Sequence, residues 1–177
     1  MNPFFNKELS SKAYLLYTFW VTSLAIELEY KVNFFIEIIS VLGNTVGTIF
    51  TLSLFYSNGN KLGGWEWYSS LVVLGMYMIL EGFTISILQP NLSRIVKHIQ
   101  QGTLDFVLLK PISTQFYLSL RIYSVWGLPS TLIGLLLIFI GFIYSNTTLT
   151  ASLVSIFFLI SFSSILILYS IWFIIAT

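Results

Sequence analysis

Charge is the scarcest property of this sequence: Asp, Glu, Lys and Arg make up only 8% of its 177 residues, while hydrophobic residues make up 56%. A soluble domain carries roughly 25% charged residues. With so few charges a water-soluble globule of this size could not cover its surface, so the bilayer is the expected solvent. There is no cysteine and one histidine, His98. Disulfides, thiolate metal sites and imidazole clusters are therefore excluded. The formal net charge is +1, so no basic field points to nucleic acid. No lysine is followed by Ser or Thr, which excludes a Walker-type phosphate loop. The chain should not hydrolyse ATP or hold a resident cofactor. A Ser-His-Asp triad would have to use His98 and Asp105, and Gly102 interrupts any helix carrying both; His98 reads as a solvated histidine and the chain as a non-enzyme.

What the sequence has in abundance is apolar length. A membrane helix needs about 20 apolar residues, and four segments supply them: 34–56, 67–89, 117–144 and 151–177. No charge occurs from Ile122 to Thr177, a run too long for one span, and Ser145-Asn146-Thr147-Thr148 reads as the turn that divides it. Asn146-Thr147-Thr148 also matches the short glycosylation pattern, but a turn explains it. The runs are apolar all round rather than alternating, so helices are expected and barrel strands are not. Pro129 is expected to kink the third span. The fold class is an all-α integral membrane protein.

Residues 1–33 precede the first span. The apolar stretch from Ala13 to Ile26 is too short to cross a bilayer. Ser11, Thr18, Thr22 and Glu29 share one helical face, and Tyr14, Tyr17, Trp20 and Tyr30 cover much of the rest, which suits an interfacial helix. The competing reading is a signal peptide, with Lys7 and Lys12 as its basic region and Ser23-Leu24-Ala25 as the cleavage site. Of the 8 basic residues, Lys7, Lys12, Lys31, Arg94, Lys97, Lys110 and Arg121 fall on one side of this topology and only Lys61 on the other. The N-terminus and the 91–116 loop are thus predicted to be cytoplasmic, in a cell inner membrane.

That loop holds the most pattern. Leu92, Ile95, Val96 and Ile99 form one apolar stripe at helical spacing, with Arg94, Lys97, His98 and Gln101 on the other faces. Asn91 or Ser93 is expected to cap the helix start and Gly102 to end it. An apolar strip and Pro111 follow. Such a helix lies under the membrane, docks in a partner's groove, or packs as an ordinary loop against the spans.

The run from Asn91 through Gly102-Thr103-Leu104-Asp105-Phe106, Leu108-Leu109-Lys110-Pro111-Ile112-Ser113 and Phe116 to Arg121 resembles the permease subunits of ABC-2 type ABC transporters. Gly64-Trp65 before the second span and Tyr30-Lys31 before the first fit the same pattern. The resemblance implies about six spans, against four here, and a chain that continues beyond the apolar run ending at Thr177. It also implies two paired permease subunits, as a homo- or heterodimer in membrane lipid, above two cytosolic ATPase subunits that use the ATP. A coupling helix between spans two and three would transmit the ATPase motion. By position, Leu92, Arg94, Ile95, Ile99, Gly102, Thr103, Leu104, Asp105, Lys110 and Pro111 are the candidate coupling residues.

Two features lie inside the spans. Glu81 sits near the middle of the second, where a carboxylate costs about 2.5–3.5 kcal/mol on insertion scales. It is a candidate for the substrate path; the alternative is a structural acid, hydrogen-bonded or paired with Arg121. Gly43 and Gly47 share a face and form a candidate helix-packing pattern, within the chain or in a dimer. The competing functional readings are a stand-alone secondary carrier and a membrane scaffold; a carrier needs no ATPase-docking helix.

Overall fold

In a computed structural model the chain is described over residues 14–25, 31–57, 64–110, 112–145 and 150–176. The described residues form helices α1 (Tyr14–Ala25), α2 (Lys31–Tyr56), α3 (Trp67–Phe83), α4 (Gln89–Gln100), α5 (Leu104–Leu108), α6 (Thr114–Leu120), α7 (Leu128–Tyr144) and α8 (Ala151–Ala176). Four helical stretches are long and apolar enough to cross a bilayer: Val32–Tyr56, Trp67–Gln100, Val125–Tyr144 and Ala151–Ile175. The shorter α1 precedes them, as the all-α membrane expectation required. Pro111, residues 1–13, Tyr30 and the 146–148 turn lie outside the described residues.

The chain forms two compact units. One comprises 32–83 and 126–168 and is built on the antiparallel pair α3 and α7. Glycines seven residues apart line the seam. A Cβ on Gly75 would stand 2.5 Å from the Gly134 carbonyl oxygen, and one on Gly134 would stand 2.6 Å from the Gly75 carbonyl oxygen. One heptad along, Gly82 meets the Gly127 carbonyl and the Thr131 hydroxyl, and Gly141 meets Tyr68 and Val72. Lipid tails are as apolar as leucine, so a membrane helix pair gains little from burial. It gains from close van der Waals approach, which small residues permit. Leu71, Met78, Leu137 and Ile138 are the buried side chains beside this seam.

α2 joins the unit through side chains. The Thr45 hydroxyl oxygen lies 3.8 Å from Met78 Sδ, Tyr56 OH and Ser70 Oγ are 2.5 Å apart, and Phe34 lies against Trp126. Several hydroxyls along the spans donate to carbonyls of their own helices, as Thr45 does to Val41 and Ser164 to Ile160, and among the described residues no buried side-chain N or O atom lacks a partner. The outward apolar side chains of α2, α7 and α8 are exposed, as lipid-facing surfaces are.

Two expectations about the third span are corrected here, and so is the within-chain half of the Gly43–Gly47 expectation. Gly43 and Gly47 have nothing within 4 Å of where a Cβ would be, so they make no packing contact within the described chain. The third span does not run as one helix from Tyr117: α6 ends at Leu120, residues 121–124 are non-helical, and a 3-10 turn at Val125–Gly127 leads into α7. Pro129 is the second residue of α7 and kinks nothing. Its missing N–H falls among donors that have no intrahelical partner anyway, and its fixed φ suits a helix start.

Candidate functional site

The other unit contains the described residues within 1–31, 84–125 and 169–177. Its organisation starts at Pro90. Helical backbone continues through this residue, by way of a wider π-type turn at Thr84–Leu88, so α4 begins without a break. Asn91 and Ser93 are therefore not caps; both lie inside the helix, and Ser93 Oγ donates back to the Gln89 carbonyl. Pro90 has no N–H to offer the carbonyl four residues before it, Ser86. The Ser124 N–H takes that acceptor instead, at 2.9 Å.

Asn91 completes the arrangement. Only 2% exposed, it donates through Nδ2 to the carbonyls of Ile87 and Ile122, both at 2.7 Å, and its Oδ1 accepts the Ile122 N–H at 2.9 Å. The Tyr123 N–H donates to Ser23 Oγ of α1 at 3.2 Å. Non-helical backbone near a bilayer must find such partners. Residues 122–124 are held by one asparagine, one serine and one carbonyl released by a proline. Sequence reasoning passed over this role, although adjacent Pro90 and Asn91 inside an apolar helix were the available signal.

α4 then carries the amphipathic stripe, and the structure divides it. Leu92 and Ile95 are buried, at 1% and 3% exposure, whereas Val96 and Ile99 are exposed. α4 packs on α6 and on the π-type turn. The helix stops as its sequence requires: Gly102 takes φ +62°, its N–H donates to the Ile99 carbonyl (3.2 Å), and the Thr103 N–H donates to the His98 carbonyl (2.9 Å). This double reverse bond is the Schellman ending that a left-handed glycine permits. His98 is not simply solvated, because its Nδ1 lies 2.8 Å from Thr103 Oγ1 and ties the last turn to the residue after the stop.

Beyond the stop, α5 buries Val107 and exposes Phe106 (71%) and Leu108, and Leu109 just after it is exposed too (81%). Together with Val96 and Ile99 they make the accessible apolar surface of this loop. Asp105 is exposed in the first turn of α5 and Leu104 is half-buried. Lys110 Nζ donates to Tyr117 OH at 2.6 Å. Lys110 and Arg94 both line a cavity beside α1. The described candidate coupling residues thus fall into four groups: Leu92 and Ile95 inside, Thr103 and Leu104 half-buried, Ile99, Gly102 and Asp105 outside, and Arg94 and Lys110 at the cavity. In the other unit, Glu81 is half-buried on α3, with Glu37 of α2 within electrostatic range. No group of three or more His, Cys, Asp or Glu side chains is placed to hold a metal ion among the described residues.

A family model described as an ABC-2 family transporter protein matches residues 42–177. No curated protein and no solved structure matches the chain.

Proposed function

The chain belongs to the ABC-2 family of transporters and is an integral membrane component of an ABC transporter; from that premise we propose that it is a permease subunit driven by a separate cytosolic ATPase, which docks on the exposed apolar surface of the α4–α5 loop. The observation that carries this is the exposure of Ile99, Phe106, Leu108 and Leu109 directly around a glycine-stopped helix end. Hydrophobic side chains presented on a short, rigidly capped loop outside the spans suit a protein groove. The predominance of Lys and Arg on this side of the topology supports a cytoplasmic loop and N-terminus, in an inner-membrane setting. ATP is bound and hydrolysed by the partner, and this chain, which has no phosphate loop, holds no cofactor. Two such permease subunits form the path, and the open Gly43–Gly47 face of α2 is the surface offered to the second. Glu81 is the polar group offered to substrate within the spans.

The test uses positions that the fold can spare. Ile95 is buried, so its replacement would disturb the permease itself. Phe106→Asp with Leu109→Asp changes only exposed side chains, yet forces two carboxylates into a docked contact, where unpaired charge is prohibitive. Loss at interface anchors of this kind is about 2–4 kcal/mol. The variant should insert at normal levels while the ATPase no longer co-purifies from native membranes. Retention of the ATPase at wild-type yield, with normal transport, would remove the α4–α5 loop from the coupling role.

A further inference from the structure

The loop that offers its apolar side to a partner has a second, oppositely constructed side. Between α1 and residues 94–123 lies a cavity of about 510 Å³, a volume within the usual range for small-ligand sites. Arg94, Lys110 and Arg121 all line it, and among the described residues no lining side chain is a carboxylate. Their arrangement is unusual for like charges. The Lys110 ammonium lies 3.9 Å from the centre of the Tyr117 ring and the Arg121 guanidinium 4.9 Å from the same centre. Tyr117 is buried, so one ring holds two cations beside a third, and ring faces alone offset only part of their repulsion. The remaining wall is mixed: Thr18, Thr22 and Ser23 provide hydroxyls, and Phe19 and Ile122 provide apolar surface.

The position says which anion fits. α1 turns Thr22 and Phe19 to the cavity, while Tyr14, Tyr17, Trp20 and Val21 are exposed. Exposed tyrosine and tryptophan on an apolar helix too short to span belong at headgroup depth. A cavity walled by that helix therefore opens where lipid phosphates lie. We propose that it binds the phosphate headgroup of an anionic phospholipid from the leaflet on the α1 side. Arg94 and Arg121 contact the phosphate oxygens through their forked donors, and Lys110 adds a point charge. Phe19 and Ile122 meet the glycerol and the first acyl carbons. The bound lipid thereby joins α1 to the α4–α6 segment. The site uses the inner side of the loop and does not depend on ATPase docking at Phe106 and Leu109.

The purified full chain in neutral detergent is titrated with phosphatidylglycerol and, separately, phosphatidylethanolamine of the same acyl chains, and bound lipid is counted by native mass spectrometry. Phosphatidylglycerol should bind at least several-fold more tightly, and affinity should fall with added salt. Arg94→Gln with Arg121→Gln should lower phosphatidylglycerol affinity roughly 10–30-fold, at about one charge-contact each. Arg94→Lys with Arg121→Lys keeps the charge and should recover most of it, which separates lost charge from lost folding. Equal binding of the two lipids by the wild type, or undiminished phosphatidylglycerol binding by the double glutamine variant, overturns the proposal. So does displacement of the lipid by millimolar inorganic phosphate, which would make this a free-anion site. The ATPase test has no bearing on any of these outcomes, so either idea fails alone.

Discussion

Gly134→Ala adds one methyl group where α3 and α7 cross backbone against backbone. The new Cβ would stand 2.6 Å from the Gly75 carbonyl oxygen and 3.0 Å from Ile79 Cγ1, where unstrained contacts begin near 3.4 Å. The obstacle is backbone, so rotamer changes cannot relieve it, and the helices must part by about 0.8 Å. A gap of 0.5–1 Å forfeits about a quarter to a half of each van der Waals contact of about 0.1–0.2 kcal/mol. Over roughly 40–60 atom pairs across the seam, the number one buried leucine makes, the loss is about 2–3 kcal/mol. That agrees with the usual cost of overpacking, about 1–3 kcal/mol. Alanine's better helix propensity returns about 0.5–1 kcal/mol. Gly43→Ala is the matched control, because it carries the same propensity gain into open space. Unfolding of the purified chain by sodium dodecyl sulfate, followed by tryptophan fluorescence, should show Gly134→Ala less stable than Gly43→Ala by about 2–3 kcal/mol. The double change Gly75→Ala with Gly134→Ala should cost less than the sum of its parts, since the first methyl already separates the helices. If Gly134→Ala unfolds together with Gly43→Ala, the close approach at this seam is not what holds the pair.

Asn91→Leu keeps the volume but leaves the Ile122 N–H and C=O without their partner; each unpaired buried group costs about 1–3 kcal/mol, and a lowered melting temperature of the purified permease is expected, with wild-type melting as the refuting result. Gly102→Val puts a β-branched residue at φ +62°, a strain of about 1–3 kcal/mol; it should reduce ATPase co-purification without changing membrane insertion, whereas an unaffected complex would show that the loop tolerates another exit path. A cysteine at Asn60 should react with an impermeant reagent in intact cells and one at Gln100 should not; the reverse pattern would invert the topology and remove the basis for a cytosolic partner at the α4–α5 loop.

Composition and spacing alone determined the class of this protein. Runs of apolar residues in a medium without hydrogen-bonding partners must close their own backbone bonds, so four long helices and one shorter one followed from length and charge. Gly102 was legible too, because a left-handed position at a helix end is a local demand that glycine meets without help from the rest of the fold. The Asn91–Arg121 region was recognisable as family-like for the same reason: its motif is contiguous in the chain. The faces were not legible. In water an apolar stripe identifies the buried side, but beside lipid or a partner protein an exposed stripe is equally apolar, and hydrophobicity cannot tell Leu92 and Ile95, which are buried, from Val96 and Ile99, which are not. Glycine spacing had the same ambiguity: Gly43 and Gly47 look like a contact and find none within the described chain, while Gly75 and Gly134, separated by 59 positions in sequence, touch backbone to backbone. A small residue has meaning only opposite another one, and which residues stand opposite is set by tertiary packing. Asn91 shows this most directly, since its partner is a strand of unwound chain 31 residues away, and no local pattern records a hydrogen bond whose other half is made by a distant break in a helix.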